Sequence, residues 1–288
     1  MNSEMLPQVR ALLQQFSLRP RKRLGQHFLV DGDVLERILS AAEPEPEDII
    51  IEIGPGLGIL TRRLAEAVSR VIAVELDSRL VSMLRKELAA WPNVEIVHGD
   101  VLKTAPQQLI AGGSGFSGCA PSYKVVANLP YYITSPVLRH FLRASSRPSL
   151  MVVMVQKEVG EAIAAVPGKL SILAVGVQFY ARPSIVAHVP ADGFYPAPKI
   201  DSLVLRLDVR HKVAVEVEDE DAFLDMVSCG FKSPRKQLRN SLSRALGIPA
   251  VQVAASLEKA GIEARRRAET LSMEEWRAVY WAFGRSRE

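Results

Sequence analysis

The segment Asn128-Leu129-Pro130-Tyr131 directly follows a strand-like run, Tyr123 to Ala127, and has the composition of a seat for a flat aromatic amine. An exocyclic amine such as adenine N6 presents two N–H donors and a ring face. The Asn128 side-chain oxygen supplies one acceptor. A backbone carbonyl at Leu129 or Pro130 supplies the other, because proline restricts the chain and keeps the preceding residue extended. Tyr131 offers a ring for stacking. Asn-x-Pro is also an ordinary turn closed by an Asx bond, so the segment acquires meaning only from its partners.

Those partners lie upstream. Gly54-Pro-Gly56-Leu-Gly58 stands at a strand-to-helix turn, where glycine lets the backbone pass close to a ligand. Its third glycine comes one position earlier than in the dinucleotide fingerprint, which favours an adenosine ligand without phosphates over NAD. Glu75 ends the next strand and is placed to accept both hydroxyls of a ribose. Asp100, in His98-Gly-Asp100, ends the third strand and is placed to accept an N–H from adenine. Either acid alone is as readily a helix cap. Together, at successive strand ends beside a glycine turn, they mark the crevice where open α/β sheets bind ligands. The ligand suggested is S-adenosylmethionine.

The elements that must position these residues can be read from hydrophobic periodicity. Asp33 to Ala42 reads as a helix, closed by Pro44 and Pro46. Asp48–Ile53, Val71–Val74, Val94–Val97, Lys124–Ala127 and Leu150–Val155 read as strands alternating with helices, the pattern of a doubly wound parallel sheet. Leu170, Leu173, Ala174 and Val177 repeat at helical spacing, and Ser184–Val189 with Ser202–Asp208 form a closing pair of strands. The insertion Ala111 to Gly118 reads as a flexible glycine-rich loop without a phosphate-binding role. Past Asp219 the pattern is helical, with Val213–Val217 the one possible strand. The expected division is a basic extension over 1–24, a Rossmann-like α/β methyltransferase domain over 25–210 and a small all-helical domain over 211–288.

Composition bounds the function. The 288 residues are 48% hydrophobic and can bury a full core. No apolar run reaches the roughly 20 residues of a membrane span, and no signal-peptide centre opens the chain. Cys119 and Cys229 have no CxxC or Cys/His spacing, so neither a disulfide framework nor a metal site is expected, and the compartment reads as reducing and cytoplasmic. The Arg-rich, acid-poor start would also suit an organelle transit peptide. The 36 Lys and Arg exceed the 32 Asp and Glu by little, but their distribution is uneven. Arg19, Arg21, Lys22 and Arg23 cluster near the start. Lys232, Arg235, Lys236, Arg239 and Arg244 form an acid-free stretch, in which Lys232, Lys236 and Arg239 recur at helical spacing as a basic face opposite Phe231, Leu238 and Leu242, with Ser233 as N-cap and Pro234 at the first helical position.

The chain resembles the ribosomal RNA adenine dimethyltransferases, most nearly the small-subunit (KsgA/RsmA) group. The resemblance rests on Arg21-Lys-Arg-Leu-Gly-Gln-His-Phe-Leu29, Glu52-Ile-Gly-Pro-Gly-Leu-Gly58, Val74-Glu-Leu-Asp77, His98-Gly-Asp100 and Asn128-Leu-Pro-Tyr-Tyr-Ile133. Further matches are Gln156-Lys-Glu-Val159, Phe194-Tyr-Pro-Ala-Pro-Lys-Ile-Asp-Ser202, Arg235-Lys-Gln-Leu-Arg-Asn-Ser-Leu242 and Arg267-Ala-Glu-Thr-Leu271. It extends from about residue 21 to the end.

It implies S-adenosylmethionine as methyl donor, with S-adenosylhomocysteine as product. His27, Leu29, Gly54, Gly56, Glu75, Asp100 and Asn128 would surround the donor. Asn128, Leu129, Pro130 and Tyr131 would hold the reacting amine, and Tyr131 and Phe194 would sandwich the target adenine. Arg21, Lys22, Arg23, Lys232, Arg235, Lys236 and Arg239 would meet RNA. The implied activity is dimethylation at N6 of two adjacent adenosines in a hairpin near the 3′ end of small-subunit rRNA. The implied partner is the assembling small subunit, met late in biogenesis by a monomer with no membrane association. Ser233-Pro234 departs from the family, which has a second arginine before Arg235. Two alternatives are a large-subunit rRNA methylase of the macrolide-resistance type and an assembly factor whose methylation is secondary.

Overall fold

The structure is a computed structural model that describes residues 5–112 and 121–284. The glycine-rich insertion falls, from residue 113 on, outside the described residues, as does Cys119. In chain order the strands are β1 (Phe28–Leu29), β2 (Ile49–Ile53), β3 (Arg70–Glu75), β4 (Val94–His98), β5 (Lys124–Asn128), β6 (Leu150–Gln156), β7 (Ala181–Val189), β8 (Phe194–Tyr195) and β9 (Ser202–Val209). The helices are α1 (Met5–Gln15), α2 (Gly32–Ala42), α3 (Ile59–Ala65), α4 (Ser78–Glu87), α5 (Pro106–Ala111), α6 (Thr134–Leu142), α7 (Lys157–Ile163), α8 (Ile172–Tyr180), α9 (Glu220–Phe231), α10 (Leu238–Leu246), α11 (Ala250–Lys259) and α12 (Met273–Gly284).

The chain forms two units, one of residues 1–160 and 183–209, the other of 161–182 and 210–288. The first is built on a seven-stranded sheet ordered β4-β3-β2-β5-β6-β9-β7. β4, β3, β2, β5 and β6 are mutually parallel, and β9 runs antiparallel to β6 over the full register from Leu150↔Asp208 to Gln156↔Ser202. The apolar run Ile49–Ile53 becomes the strand at which chain order reverses, with β3 on one side and β5 on the other. Crossover helices must then cover the sheet, and the ligand crevice opens at the carboxyl ends of β2, β3 and β5. Asp31 starts α2 by accepting from the backbone N–H of Asp33 and Val34, one residue pair before the predicted start.

Residues 5–24, part of the expected basic extension over 1–24, are not separate from the first unit. Val9, Leu12 and Leu13 of α1 are buried with Phe28, Leu57, Leu80, Met83 and Leu84 in one apolar cluster, so the helix belongs to the first unit's core. The small antiparallel pair β1–β8, with Phe28 opposite Tyr195 and Leu29 opposite Phe194, ties the segment after it to the far end of the chain's α/β part.

The second unit is helical, and the single boundary expected at residue 210 is corrected. α8 stands between strands in the sequence, so alternation assigns it to the sheet domain. Its partners lie elsewhere: Phe179 stacks on Phe223 with ring centroids 4.6 Å apart, and the carbonyls of Phe179 and Tyr180 accept from Ala214 and Arg210 at 2.8 Å each. Residues 213–217 form bends and no strand. Trp276 of α12 is fully buried against Phe231 and fills the space left by Gly230, where a Cβ would collide with its ring.

Candidate active site

The glycine turn is required by the backbone itself. Gly54, Gly56 and Gly58 take φ of 67°, 59° and 76°, a region in which an L side chain is strained. Gly54 N–H donates to the Val74 carbonyl at 2.9 Å, locking the turn to β3. A Cβ on Gly58 would lie 2.9 Å from Leu84 Cδ2, so this third glycine lets α3 pack on α4. Beside the turn opens a cavity of about 340 Å³. Its wall brings together His27, Leu29, Gly54, Gly56, Glu75 and Asp100, all expected at the donor, together with Asn128 and Pro130.

Three carboxyl groups line it and a fourth, Asp77, acts on its cover, each in a different environment. Glu75 is 6% exposed, and its two oxygens accept from Asp77 N–H at 2.8 Å and, weakly, from Gly56 N–H at 3.4 Å. Burial pushes its pKa up and these backbone donors oppose the shift. Asp100 Oδ1 accepts from Leu102 N–H at 3.0 Å, the capping bond, while the side chain borders the cavity. Glu52, which the sequence reading passed over, is also in the wall. It is an acid inside a buried apolar strand, and that position was the available signal. Burial, with the neighbouring Glu75 adding to it, pushes its pKa up to about 8, so it carries a proton at neutral pH. Its Oε2 has no hydrogen-bond partner among the described residues.

Asp77 is the fourth, and it acts on the cavity's cover. Residues 21–29 form a strap along the wall, held on one flank by a relay. Gln26 Oε1 accepts from Arg21 N–H at 2.8 Å, and Gln26 Nε2 donates to Asp77 Oδ2 at 3.1 Å. Asp77 also caps α4 through Arg79 N–H and receives the Arg79 guanidinium at 2.8 Å. Although its burial opposes ionisation, the hydrogen bonds from Arg79 and Gln26 prevail and hold its pKa down at about 2. On the other flank His27 Nδ1 lies 2.6 Å from the Pro196 carbonyl, and Asn128 Nδ2 donates to the His27 carbonyl at 3.1 Å.

That last bond orients Asn128. A carbonyl can only accept, so the amide nitrogen faces the strap and Oδ1 remains the acceptor. The Pro130 carbonyl already accepts from Ile133 N–H at 3.0 Å, which leaves Leu129 as the stronger candidate of the two for the second acceptor. The Leu129 side chain is buried and does not face the cavity. Tyr131 is half-buried. Its hydroxyl pairs with Ser202 Oγ at 2.7 Å, and its ring lies parallel to His27 with centroids 6.2 Å apart. Phe194 differs from expectation. It is 4% exposed and packed into the apolar cluster with α2, so its ring offers no open face here; Leu29, opposite it in the β1–β8 pair, packs against the same cluster. Tyr132, 57% exposed and bordering the cavity, is the open aromatic ring that the sequence reading missed.

Arg21, Lys22 and Arg23 are exposed on the strap. The predicted basic helix in the second unit is corrected: α9 ends at Phe231, α10 begins at Leu238, and 232–237 form a turn that carries Lys232, Arg235 and Lys236 exposed. Gln237 is extended, with φ −60° and ψ 148°. The N–H groups of Leu238 and Arg239 donate to the carbonyls of Arg266 and Ala264, and these distant bonds set where α10 starts. Arg239 and Arg244 lie on the helix, Arg239 in its first turn with Nε on Gln237 Oε1 at 3.1 Å and Arg244 in its last.

An S-adenosylmethionine molecule suits this cavity. The glycine turn leaves backbone accessible, Glu75 and Asp100 offer acceptors, and the unpartnered Oε2 of Glu52 belongs to a residue in the same wall. Two predictions follow from the geometry. The ordinary pKa of Glu52 is 4.5, so as pH rises from there to about 8 the unfolded chain ionises and the folded one does not, and stability falls. Glu52→Gln removes that penalty: urea unfolding should find the variant more stable by roughly 3–5 kcal/mol at pH 9 and equal at pH 4. An unchanged pH slope would refute the proton on Glu52. Gln26→Ala cuts the strap's relay to Asp77. Trypsin should then cleave after Arg23 faster, and calorimetry should show S-adenosylhomocysteine binding weakened by roughly tenfold, the worth of a hydrogen bond to a charged group.

Comparison with known proteins identifies the family. A family model described as ribosomal RNA adenine dimethylase matches residues 17–280. The ribosomal RNA small subunit methyltransferase A of Dehalococcoides mccartyi is 46% identical over 275 residues, 96% of this chain and 92% of that protein. That of Moorella thermoacetica is 46% identical over 273 residues, 93% of this chain and 94% of that one. Among solved structures, the 23S rRNA methyltransferase ErmE aligns with a TM-score of 0.70 at 28% identity, covering 89% of this chain and 99% of that one. A dimethyladenosine transferase from Plasmodium falciparum shares the fold, with a TM-score of 0.75 at 24% identity over 90% of this chain and 98% of that one. The chain belongs to the ribosomal RNA adenine dimethylases, a family of S-adenosylmethionine-dependent methyltransferases.

Proposed function

We propose that the protein methylates N6 of two adjacent adenosines, twice each, in a hairpin near the 3′ end of small-subunit rRNA. It does so late in subunit assembly, as a cytoplasmic monomer. No helix among the described residues is long and apolar enough to cross a membrane. The observation that carries the proposal is the Asn128 amide, whose nitrogen is committed to the His27 carbonyl and whose oxygen is thereby left to accept at the cavity wall.

The donor, when bound, supplies a methyl group on a positively charged sulfur. The chain's part is to make a poor nucleophile attack it. The N6 lone pair is delocalised into the purine, and acceptors for both N–H bonds, Asn128 Oδ1 and the Leu129 carbonyl, favour the pyramidal nitrogen. Holding that nitrogen in line removes much of the entropic barrier. The methylated amine is acidic enough to release its proton to water, so no strong base is needed. Tyr131 and Tyr132 are the rings for the base, with stacking worth roughly 1–3 kcal/mol each. Glu75 and Asp100 hold ribose and adenine of the donor.

Support for the small subunit comes from the 46% identical small-subunit methyltransferases, against 28% identity to the 23S rRNA methyltransferase ErmE. The large-subunit reading is separated by offering labelled donor with each unmodified subunit in turn. Small subunits should yield N6-dimethyladenosine on nuclease digestion. Label only on large subunits, or none, overturns the proposal. Asn128→Ala should lower kcat by roughly 100- to 1,000-fold, the usual loss for one oriented transition-state hydrogen bond.

A further inference from the structure

The first unit carries a second concavity that the site above does not use. It is a shallow groove of about 480 Å³ between the outer face of α1, the turn after it and Tyr195. Its polar lining is Arg10, Gln14, Ser17, Arg19 and Tyr195, with no acid among the lining residues. The chain from Met5 to Val30 contains no Asp or Glu at all. Arg10 and Arg19 are exposed and make no ion pair among the described residues.

Arg10 is not a loose surface cation. Its guanidinium carbon lies over the Tyr195 ring, 5.3 Å from the centroid. Stacking immobilises a guanidinium while leaving its in-plane N–H donors free, the arrangement suited to phosphate oxygens. The helix beneath it is anchored by buried Val9, Leu12 and Leu13. Tyr195 pairs with Phe28 in β1, and the residues flanking Phe28, His27 and Leu29, line the donor cavity. The groove therefore lies on the strand pair that borders the reacting centre.

We propose that this groove binds the phosphodiester backbone of the RNA beside the target adenosine, with Arg10 and Arg19 as the phosphate contacts. The proposal rests on an RNA substrate, as inferred above. It assigns to α1 a substrate-holding role separate from both the donor cavity and the basic turn at 232–237. Phosphate contacts of this kind fix register and carry no sequence information.

Salt dependence reads such contacts directly. Binding of a fluorescent RNA hairpin with an adenosine loop is measured from about 50 to 200 mM KCl for the intact protein, an Arg10→Gln/Arg19→Gln variant and an Arg10→Lys/Arg19→Lys variant. The glutamine variant should bind several-fold more weakly at low salt, and its slope of log K on log salt should be shallower by about 1–2, one lost contact contributing roughly 0.7–0.9. The lysine variant should keep the slope, and both should keep wild-type affinity for S-adenosylhomocysteine. An unchanged slope in the glutamine variant overturns the groove, and so does an equal loss in the lysine variant, which would make the effect one of packing. If the slopes change as expected but no subunit is methylated, the groove stands and the proposed substrate falls.

Discussion

The hydrogen bond from Asn128 Nδ2 to the His27 carbonyl, at 3.1 Å, is the constraint on which the site depends. It joins a side chain at the carboxyl end of a central strand to a strap 101 positions earlier in the sequence. In doing so it settles two matters at once. The amide is turned so that oxygen, not nitrogen, is left for an incoming amine, and the strap is held against the crevice that the sheet's reversal of chain order creates. The strap's opposite flank is fixed by Gln26 and Asp77, so the cover of the cavity is pinned at β3 and at β5.

Electrostatics at the strand ends follow the same division of labour. Glu52 of β2, Glu75 of β3 and Asp77 just after β3 stand on neighbouring strands, yet they occupy three states. Glu52 is desolvated and neutral. Glu75 is mostly buried but supported by backbone donors. Asp77, bonded to Arg79 and Gln26, is firmly ionised. One buried acid without its charge spares the cavity the repulsion that adjacent carboxylates would bring.

Much of this was legible from residues alone. The strands were visible because a parallel sheet buries whole apolar runs such as Ile49–Ile53, and the placement of Gly54, Gly56, Glu75, Asp100 and Asn128 on one cavity follows from parallel strands ending on one edge. What stayed hidden depends on partners distant in sequence. The start of α10 is set by carbonyls of Ala264 and Arg266, and the allegiance of α8 by Phe223. Asp77 reads as a simple helix cap until Gln26, 51 positions away, is seen on its other oxygen. The motif around Phe194 implies a stacking ring, and only packing reveals that its face is covered by the core. Neither α1's burial nor its groove follows from a basic N-terminal composition, although Val9, Leu12 and Leu13 at helical spacing were the clue.

The Asn128 amide works because the His27 carbonyl orients it. Asn128→Asp tests this most directly, since aspartate keeps an oxygen acceptor but has no N–H to give the strap and sets a carboxylate against a carbonyl. In single-turnover methylation of unmodified small subunits at neutral pH, the variant should lose roughly 100-fold or more in rate, close to the loss on removing the side chain altogether. A rate within about twofold of the wild type would mean that an acceptor in any orientation suffices, and would contradict the account.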